Sequence, residues 1–125
     1  MTQRVIRTDA APVNPNYSQA VVAGGLIFVS GQGPLDPGSG AIVGTTIEEQ
    51  TRQCLSNIQA ILEAAGSSLD KIVNMTFLLA DPADFAGMNE EWRRWFPNDP
   101  PARSGARLPL DIPGFRLSVA AIAEA

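Results

Sequence analysis

The sequence predicts an α+β fold in which a mixed β-sheet carries two helices on one face. Two long segments repeat apolar residues every three or four positions, as amphipathic helices do, and shorter apolar or alternating segments are typical of strands. Along the chain they follow the order β-β-β-α-β-α-β-β, which favours both helices packing on one side of a sheet. The 125 residues contain no repeat or long linker, so we expect a single domain over residues 1–125.

The first third of the chain predicts three strands and a loop. Arg4–Thr8 has the composition of a short strand, and Gln19–Val22 and Leu26–Ser30 form the two arms of a hairpin. Gly24 and Gly25 supply its turn, because glycine adopts the backbone of tight hairpin turns without strain. The segment "GPLDPGSGAIVG" that follows is dense in Gly, Pro and Asp, which predicts a loop.

The segment from Thr45 to Gly66 predicts the first helix. Thr46 and Glu49 have the spacing of a capping box, and Gly66 has the position of a helix stop. Cys54 lies on the apolar stripe, so we interpret it as a small core residue and not as a nucleophile. The stripe consists of Ile47, Thr51, Cys54, Leu55, Ile58, Ile61, Leu62 and Ala65.

The second half predicts a strand, a helix and two closing strands. "KIVNMTFLLA" alternates, and its apolar face consists of Val73, Met75, Phe77 and Leu79. "DPADFAGMNEEWRRWF" predicts a helix whose buried stripe consists of Phe85, Met88, Trp92 and Phe96. Ala102–Leu108 and Phe115–Ala123 are the closing strands, joined by a turn containing Pro113 and Gly114.

The last strand is largely apolar on both sides. One side carries Leu117, Val119 and Ala121, and the other carries Ser118, Ala120 and Ile122. A sheet with helices on one side only, yet apolar on both, leaves an uncovered apolar face. This pattern predicts self-association through that face, and closed symmetric oligomers are the usual outcome.

Charge argues against a nucleic-acid ligand. Nine basic residues stand against thirteen acidic ones, a net charge of −4, whereas nucleic-acid affinity comes mainly from a basic surface. Arg93 and Arg94 are the only adjacent basic pair, and Glu90 and Glu91 directly precede them. We interpret these four residues as a solvated helix face with ion pairs.

The residue inventory restricts the possible chemistry. There is no histidine, which excludes a Ser-His-Asp triad, a Cys-His dyad and a histidine-based zinc site. The single cysteine, Cys54, excludes an internal disulfide and fits a reducing compartment. The first residues lack the apolar centre of a signal peptide and no run is long enough to span a membrane, so we expect a cytoplasmic protein.

Arg103 is the residue that calls for an explanation. In "PPARSGARLPL" two prolines lead into an alternating run, which predicts that Arg103 is fixed on a strand. Composition alone favours a structural salt bridge at a subunit interface for such an arginine. Its context indicates a ligand-binding role instead.

That context resembles the Rid proteins, the reactive intermediate deaminases formerly called the YjgF family. The resemblance lies in "NPNYSQAV", "FVSGQGPLDPGSGAIV", "QTRQCLSNIQAILEAAGSSLDKIV", "DFAGMNEEW" and "PARS…AIA", in this order, and it covers nearly the whole chain. It implies a chorismate-mutase-like fold and a homotrimer with a barrel-like centre and ligand sites at the subunit interfaces. The implied activity is hydrolysis of 2-imino or 2-enamino acids, such as 2-aminoacrylate, to 2-keto acids and ammonia, with no metal or organic cofactor.

The resemblance also implies a set of site residues. Arg103 corresponds to the arginine that holds the substrate carboxylate, for which a guanidinium offers two parallel N–H groups. Tyr17 corresponds to a tyrosine near the ligand, although it also suits an interface aromatic. Asn89 corresponds to a pocket asparagine on the second helix, with local capping as the alternative. The backbone of the pocket is implied at Ser30, Gly31 and Gly105.

Two positions depart from the family's usual pattern. Ser118 stands where typical deaminase members carry a glutamate thought to position the attacking water, and a hydroxyl is a poor general base near neutral pH. Gly105 stands where a cysteine is common, which predicts a change of pocket volume more than of chemistry. Ser118 therefore leaves open a slower deaminase, a related deaminase of another amino-substituted acid, or a trimer that only binds small carboxylates or keto acids. An RNA-directed activity, ascribed to some relatives, is opposed by the net charge and the lack of histidine.

Overall fold

Two helices lie on one face of a six-stranded mixed sheet in a computed structural model that describes residues 4–125. The predicted order of elements and the predicted fold class are confirmed. The elements are β1 (Arg4–Ile6), β2 (Ala20–Ala23), β3 (Leu26–Gln32), α1 (Ile47–Ala64), β4 (Ile72–Leu79), α2 (Phe85–Trp95), β5 (Ala102–Arg107) and β6 (Leu117–Glu124).

The strands are arranged in the order β1-β2-β3-β6-β4-β5. All neighbouring pairs are antiparallel except β4 and β5, which are parallel and are connected by α2. Strand β6 therefore lies at the centre of the sheet, and β5, which carries Arg103, lies at its edge.

The predicted hairpin joins β2 to β3. Gly24 and Gly25 both have positive φ, at 60° and 78°, as a tight turn between two strands requires. Strand β3 extends to Gln32, and its pairing with β6 shifts between Val29 and Gln32. Ser30 and Gly31 thus lie at a β-bulge, a feature that redirects side chains locally.

Helix α1 begins and ends where the sequence predicts. The Thr46 hydroxyl accepts a hydrogen bond from the Glu49 backbone N–H at 3.1 Å, and the Glu49 carboxylate accepts one from the Thr46 N–H at 3.1 Å. These contacts form the predicted capping box, and Gly66 has a φ of 82° just past the helix end. Cys54 is fully buried on the predicted stripe, and burial raises the pKa of its thiol strongly, so its core role is confirmed.

Two predicted core residues are wrong. Val73 is 44% exposed because the pairing of β4 with β6 shifts between Ile72 and Asn74, so Ile72 takes its place on the buried face. Phe85 is 45% exposed because it is the first residue of α2, and the buried stripe of that helix starts one turn later, at Met88.

The predicted solvated face of α2 needs one correction. Glu91 is only 3% exposed, because it faces α1 and not solvent. Its carboxylate accepts hydrogen bonds from the Arg52 guanidinium at 3.3 and 3.4 Å and from the Trp95 indole N–H at 2.9 Å. Arg94 lies 3.9 Å from the same carboxylate. Glu91 is therefore a buried polar link between the two helices.

The sheet face away from the helices is largely apolar over β1, β2, β3 and β6, as predicted, and no part of the described chain covers it. Cross-strand pairing runs from Val5 to Val21, from Val21 to Phe28 and from Phe28 to Ile122. Val5 is 41% and Phe28 is 43% exposed, whereas Ile6, Ile27 and Val29 on the helix side are buried. We call the surface formed by Val5, Val21, Phe28, Ala120 and Ile122 the open face. Within residues 4–125, no helix is long and apolar enough to cross a membrane.

Candidate functional site

The guanidinium of Arg103 is held among three aromatic rings. Its central carbon lies 4.9 Å from the ring centroid of Phe77, 4.9 Å from that of Trp92 and 5.7 Å from that of Phe85. Phe77 comes from β4, next to the strand of Arg103, while Trp92 and Phe85 come from α2. Each cation–π contact stabilises by about 0.5–2 kcal/mol, so the rings hold the guanidinium in one position.

One polar contact within the chain completes this arrangement. Nη1 of Arg103 donates a hydrogen bond to Oδ1 of Asn89 on α2 at 2.8 Å. The structure therefore brings together Arg103 and Asn89, which the sequence predicts as site residues. Because an amide oxygen is neutral, this contact orients the guanidinium without neutralising it.

The positive charge of Arg103 has no counter-charge in the described part of the chain. The ion pairs among residues 4–125 are made by Arg52, Arg94 and Arg116, and Arg103 lies within 4 Å of no carboxylate there. Partial burial lowers the pKa of Arg103, yet a guanidinium stays protonated at neutral pH. A partly desolvated cation without a partner favours an anionic ligand.

A surface groove of about 360 Å³ opens onto this guanidinium. Its volume suits a small molecule, and its lining combines two positive charges and an amide with apolar rings. The lining residues are Asn89, Trp92, Arg93, Phe96, Pro100, Pro101 and Arg103.

Two larger depressions offer less suitable chemistry for an anion. One, of about 540 Å³, is lined in part by Glu63, Asp70 and Asp99, which would repel a carboxylate. The other, of about 550 Å³, contains Arg116, but this guanidinium is already bound to Asp84 at 3.1 Å. The groove at Arg103 is thus the better candidate site.

Gly105 lies two residues beyond Arg103 and pairs with Phe77 on β4. The space of the missing side chain is not empty. A Cβ atom at this position would lie 2.2 Å from Cζ of Phe77, so the aromatic ring fills the volume that a side chain at position 105 would occupy. Beside the ring an apolar groove of about 360 Å³ runs over Gly105 and Ala106.

Ser30, Gly31 and Ser118 form a second group, away from Arg103. Ser30 donates a hydrogen bond from its hydroxyl to the Ser18 carbonyl at 2.6 Å. A Cβ atom at Gly31 would lie 2.9 Å from Oγ of Ser118, so the bulge of β3 brings the Gly31 backbone against this hydroxyl. Tyr17 is 51% exposed in the turn before β2, one residue from Ser18.

The two groups do not share a site within the chain. Ser118 pairs with Leu78 of β4, three positions beyond Met75, which is the partner of Arg103. Strands β6 and β5 are separated by β4, which places them roughly 10 Å apart. Ser118 also points to the open face, whereas Arg103 points to the helix side.

Sequence reasoning missed the role of the aromatic residues around Arg103. It places Phe77, Phe85 and Trp92 in the core, and the register of a parallel strand pair cannot be read from sequence. One sequence feature could have predicted it: Arg103 follows a helix rich in aromatic residues. An arginine on a strand beside such a helix has rings within reach of its guanidinium.

The fold and the site define a small α+β domain in which three aromatic rings fix the guanidinium of Arg103. This guanidinium has no carboxylate partner in the described part of the chain. Comparisons with known proteins identify the family. The sequence model described as Endoribonuclease L-PSP matches residues 8–125. A RutC family protein of Pyrococcus horikoshii is 48% identical over 115 residues, which are 88% of this chain and 90% of that protein.

Two further relatives agree with this match. The human 2-iminobutanoate/2-iminopropanoate deaminase is 38% identical over 125 residues, covering 98% of this chain and 90% of the relative. The crystal structure of a Rid family protein from Yersinia pestis superimposes with a TM-score of 0.92 at 35% identity, over 99% of this chain and 100% of the other. This chain belongs to the Rid (YjgF) family.

Proposed function

We propose that this protein is a hydrolytic deaminase that converts 2-imino and 2-enamino acids, such as 2-aminoacrylate, to 2-keto acids and ammonia. The observation that carries the proposal is the Arg103 guanidinium, which is fixed by three rings and Asn89 but has no carboxylate partner among the described residues. The name of the human relative supports the reaction class. We place the activity in the cytoplasm, which a single cysteine favours.

Arg103 binds the substrate carboxylate through guanidinium N–H groups that Asn89 leaves free. An enamino acid first tautomerises to the imino acid, as its carbon takes up a proton and its nitrogen releases one. Water then adds across the C=N bond, giving a carbinolamine, and the nitrogen leaves as ammonia while the carbinol oxygen becomes the keto group. The reaction consumes one water and needs no oxidant or reductant.

The group that positions the water is proposed as Ser118. Its hydroxyl faces Gly31 and holds water by hydrogen bonding without acting as a strong base. General base catalysis contributes roughly 10²- to 10⁴-fold, so a serine here implies a slower enzyme than one with a glutamate. Imines hydrolyse readily without catalysis, and this makes a weaker catalyst chemically sufficient.

A homotrimer completes the site in this proposal. The open face supplies an apolar surface for a second copy of the chain, since Val5 and Phe28 are exposed in the protomer. The separation of Arg103 from Ser118 and Gly31 supports sites built from two protomers, with Tyr17, Ser30, Gly31 and Ser118 approaching Arg103 of a neighbour.

A coupled assay tests the reaction. An amino-acid oxidase generates imino acids, semicarbazide traps those that survive, and purified protein competes for them. We expect the wild type to reduce trapping and Arg103→Ala to lose at least about 100-fold in kcat/KM, because a charged hydrogen-bonded pair is lost. Arg94→Ala, which removes a 70% exposed arginine on α2, is the matched control and should behave as wild type. Equal trapping with and without the wild-type protein would contradict the proposal.

Ser118 favours a second candidate, a trimer that binds small carboxylates without turnover. Calorimetry with pyruvate separates the two. Binding that is lost in Arg103→Ala, without any effect on semicarbazide trapping, would establish a binding protein. A steeply salt-dependent affinity for RNA would instead support the activity in the family model's description.

A further inference from the structure

Gly105 and Phe77 lie so close together that there is no room for a side chain at position 105. The two residues are partners across the parallel strands β4 and β5. A Cβ atom at Gly105 would lie 2.2, 2.4 and 2.5 Å from three atoms at the tip of the Phe77 ring, distances that real atoms do not adopt. Any larger residue at position 105 must therefore displace the ring.

The Phe77 ring cannot yield without disturbing its neighbours. It is only 9% exposed, its centroid lies 5.8 Å from that of Phe85, and it meets Trp92 edge-on at 6.4 Å. Interiors packed in this way respond to an added methyl group with displaced side chains.

The same ring carries the Arg103 guanidinium. The cation lies 4.9 Å from the Phe77 centroid and an equal distance from that of Trp92. A displaced Phe77 therefore removes one of the three rings around the guanidinium. The rings of Trp92 and Phe85 and the hydrogen bond to Asn89 would remain, but the guanidinium would no longer be enclosed on the side of Phe77.

We propose that Phe77 is the positioning residue for Arg103, and that glycine at position 105 is required because it leaves space for this ring. Phe77 touches no substrate in this assignment; it acts through Arg103. The two residues form one unit, so a change at position 105 affects the carboxylate site only through the ring. The consequence for ligand binding rests on the proposed function, whereas the placement of the guanidinium does not.

A double-mutant cycle tests the unit, with pyruvate affinity measured by calorimetry. We expect Gly105→Ala and Phe77→Val each to raise the dissociation constant of pyruvate about 3- to 30-fold, the range of a lost cation–π contact. In Phe77→Val/Gly105→Ala the added methyl group has nothing to displace, so the double variant should bind no more weakly than Phe77→Val. Gly38→Ala is the control, since a Cβ atom there meets nothing closer than 3.4 Å.

A second readout reports on Arg103 without any ligand. In ¹⁵N-correlated NMR spectra the Nε–Hε signal of Arg103, assigned by its loss in Arg103→Lys, should be shifted away from those of exposed arginines by the ring currents of Phe77 and Trp92. Both single variants should move it toward the exposed position. In turnover, a positioning role predicts a higher KM with a smaller change of kcat, because carboxylate anchoring contributes to ground-state and transition-state binding alike.

The outcomes are distinct. Additive effects on affinity, or an Arg103 signal that Gly105→Ala leaves unmoved, would overturn the assignment. Should wild-type protein bind no pyruvate, carboxylate binding by Arg103 fails, but the NMR signal still decides the role of Phe77. If Gly105→Ala does not fold, a double variant that melts at the temperature of Phe77→Val supports the contact, and a double variant that also fails to fold refutes it.

Discussion

At the scale of single residues, the charge state of position 89 decides whether Arg103 is available to a ligand. Asn89 accepts a hydrogen bond from the guanidinium at 2.8 Å without neutralising it. We expect Asn89→Asp to supply an internal carboxylate that competes with the substrate, raising KM roughly 10- to 100-fold, in the range of charge-assisted pairs. Asn89→Ala, which removes only the orienting bond, should raise KM less, by roughly 3- to 10-fold. Steady-state kinetics of both variants measure this, and an Asp variant with unchanged KM would show that the substrate does not use this guanidinium.

Individual site residues differ in how far the sequence predicts them. The sequence motif around Arg103 predicts this residue as part of the site. The structure places Arg103 beside Asn89, which the sequence also predicts as a site residue. The contact between Gly105 and Phe77 could not be predicted, because it depends on the register of two parallel strands separated by a helix. Val73 shows the same limit, since a one-residue shift in pairing turns its side chain outward despite the alternating pattern.

At the scale of elements, the contact between the two helices depends on Glu91. Burial alone would raise the pKa of this carboxyl, but hydrogen bonds from Arg52 and Trp95 and the charges of Arg52 and Arg94 outweigh it and lower the pKa. We expect Glu91→Gln to reduce the free energy of unfolding by about 1–3 kcal/mol at pH 7, because the buried network loses the negative charge of its acceptor and one of its two acceptor oxygens. Arg93→Gln, on the exposed side of α2, is the control.

The pH dependence of that difference has a defined sign. A carboxyl with a lowered pKa in the folded state stabilises it fully above its ordinary pKa of 4.5, and this contribution is lost as the pH falls through the folded value. Urea unfolding of wild type and Glu91→Gln should therefore differ most at pH 6–7 and converge in the acid range. A difference that grows as the pH falls below 4.5 would mean that the carboxylate is not stabilised by its partners.

The elements themselves follow from the sequence where the signal is local. The capping box of α1 and the glycine turn between β2 and β3 need only residues within a few positions of each other, and both are present as predicted. The order of strands in the sheet depends on contacts distant in sequence. Strand β6 is apolar on both sides, which fits a central strand, but this pattern alone does not predict its place in the sheet.

At the scale of the whole molecule, the open face offers a test of whether activity depends on assembly. If sites form between protomers, a charge placed in the middle of this face should abolish both together. Phe28 is 43% exposed and pairs with Val21 and Ile122, so Phe28→Asp introduces an unpaired carboxylate that association would bury, at a cost of several kcal/mol.

We expect light scattering coupled to size exclusion to give a trimer mass for the wild type and a monomer mass for Phe28→Asp, with semicarbazide trapping no longer reduced by the variant. Leu110→Asp is the control, because Leu110 is 64% exposed in the loop between β5 and β6, outside the sheet. A Phe28→Asp monomer that keeps full activity would show that one protomer holds the whole site. An unchanged oligomer would show that the copies meet through another surface. Loss of both properties together would support a site built from two copies of the chain, which we propose because β4 separates Arg103 on β5 from Ser118 on β6.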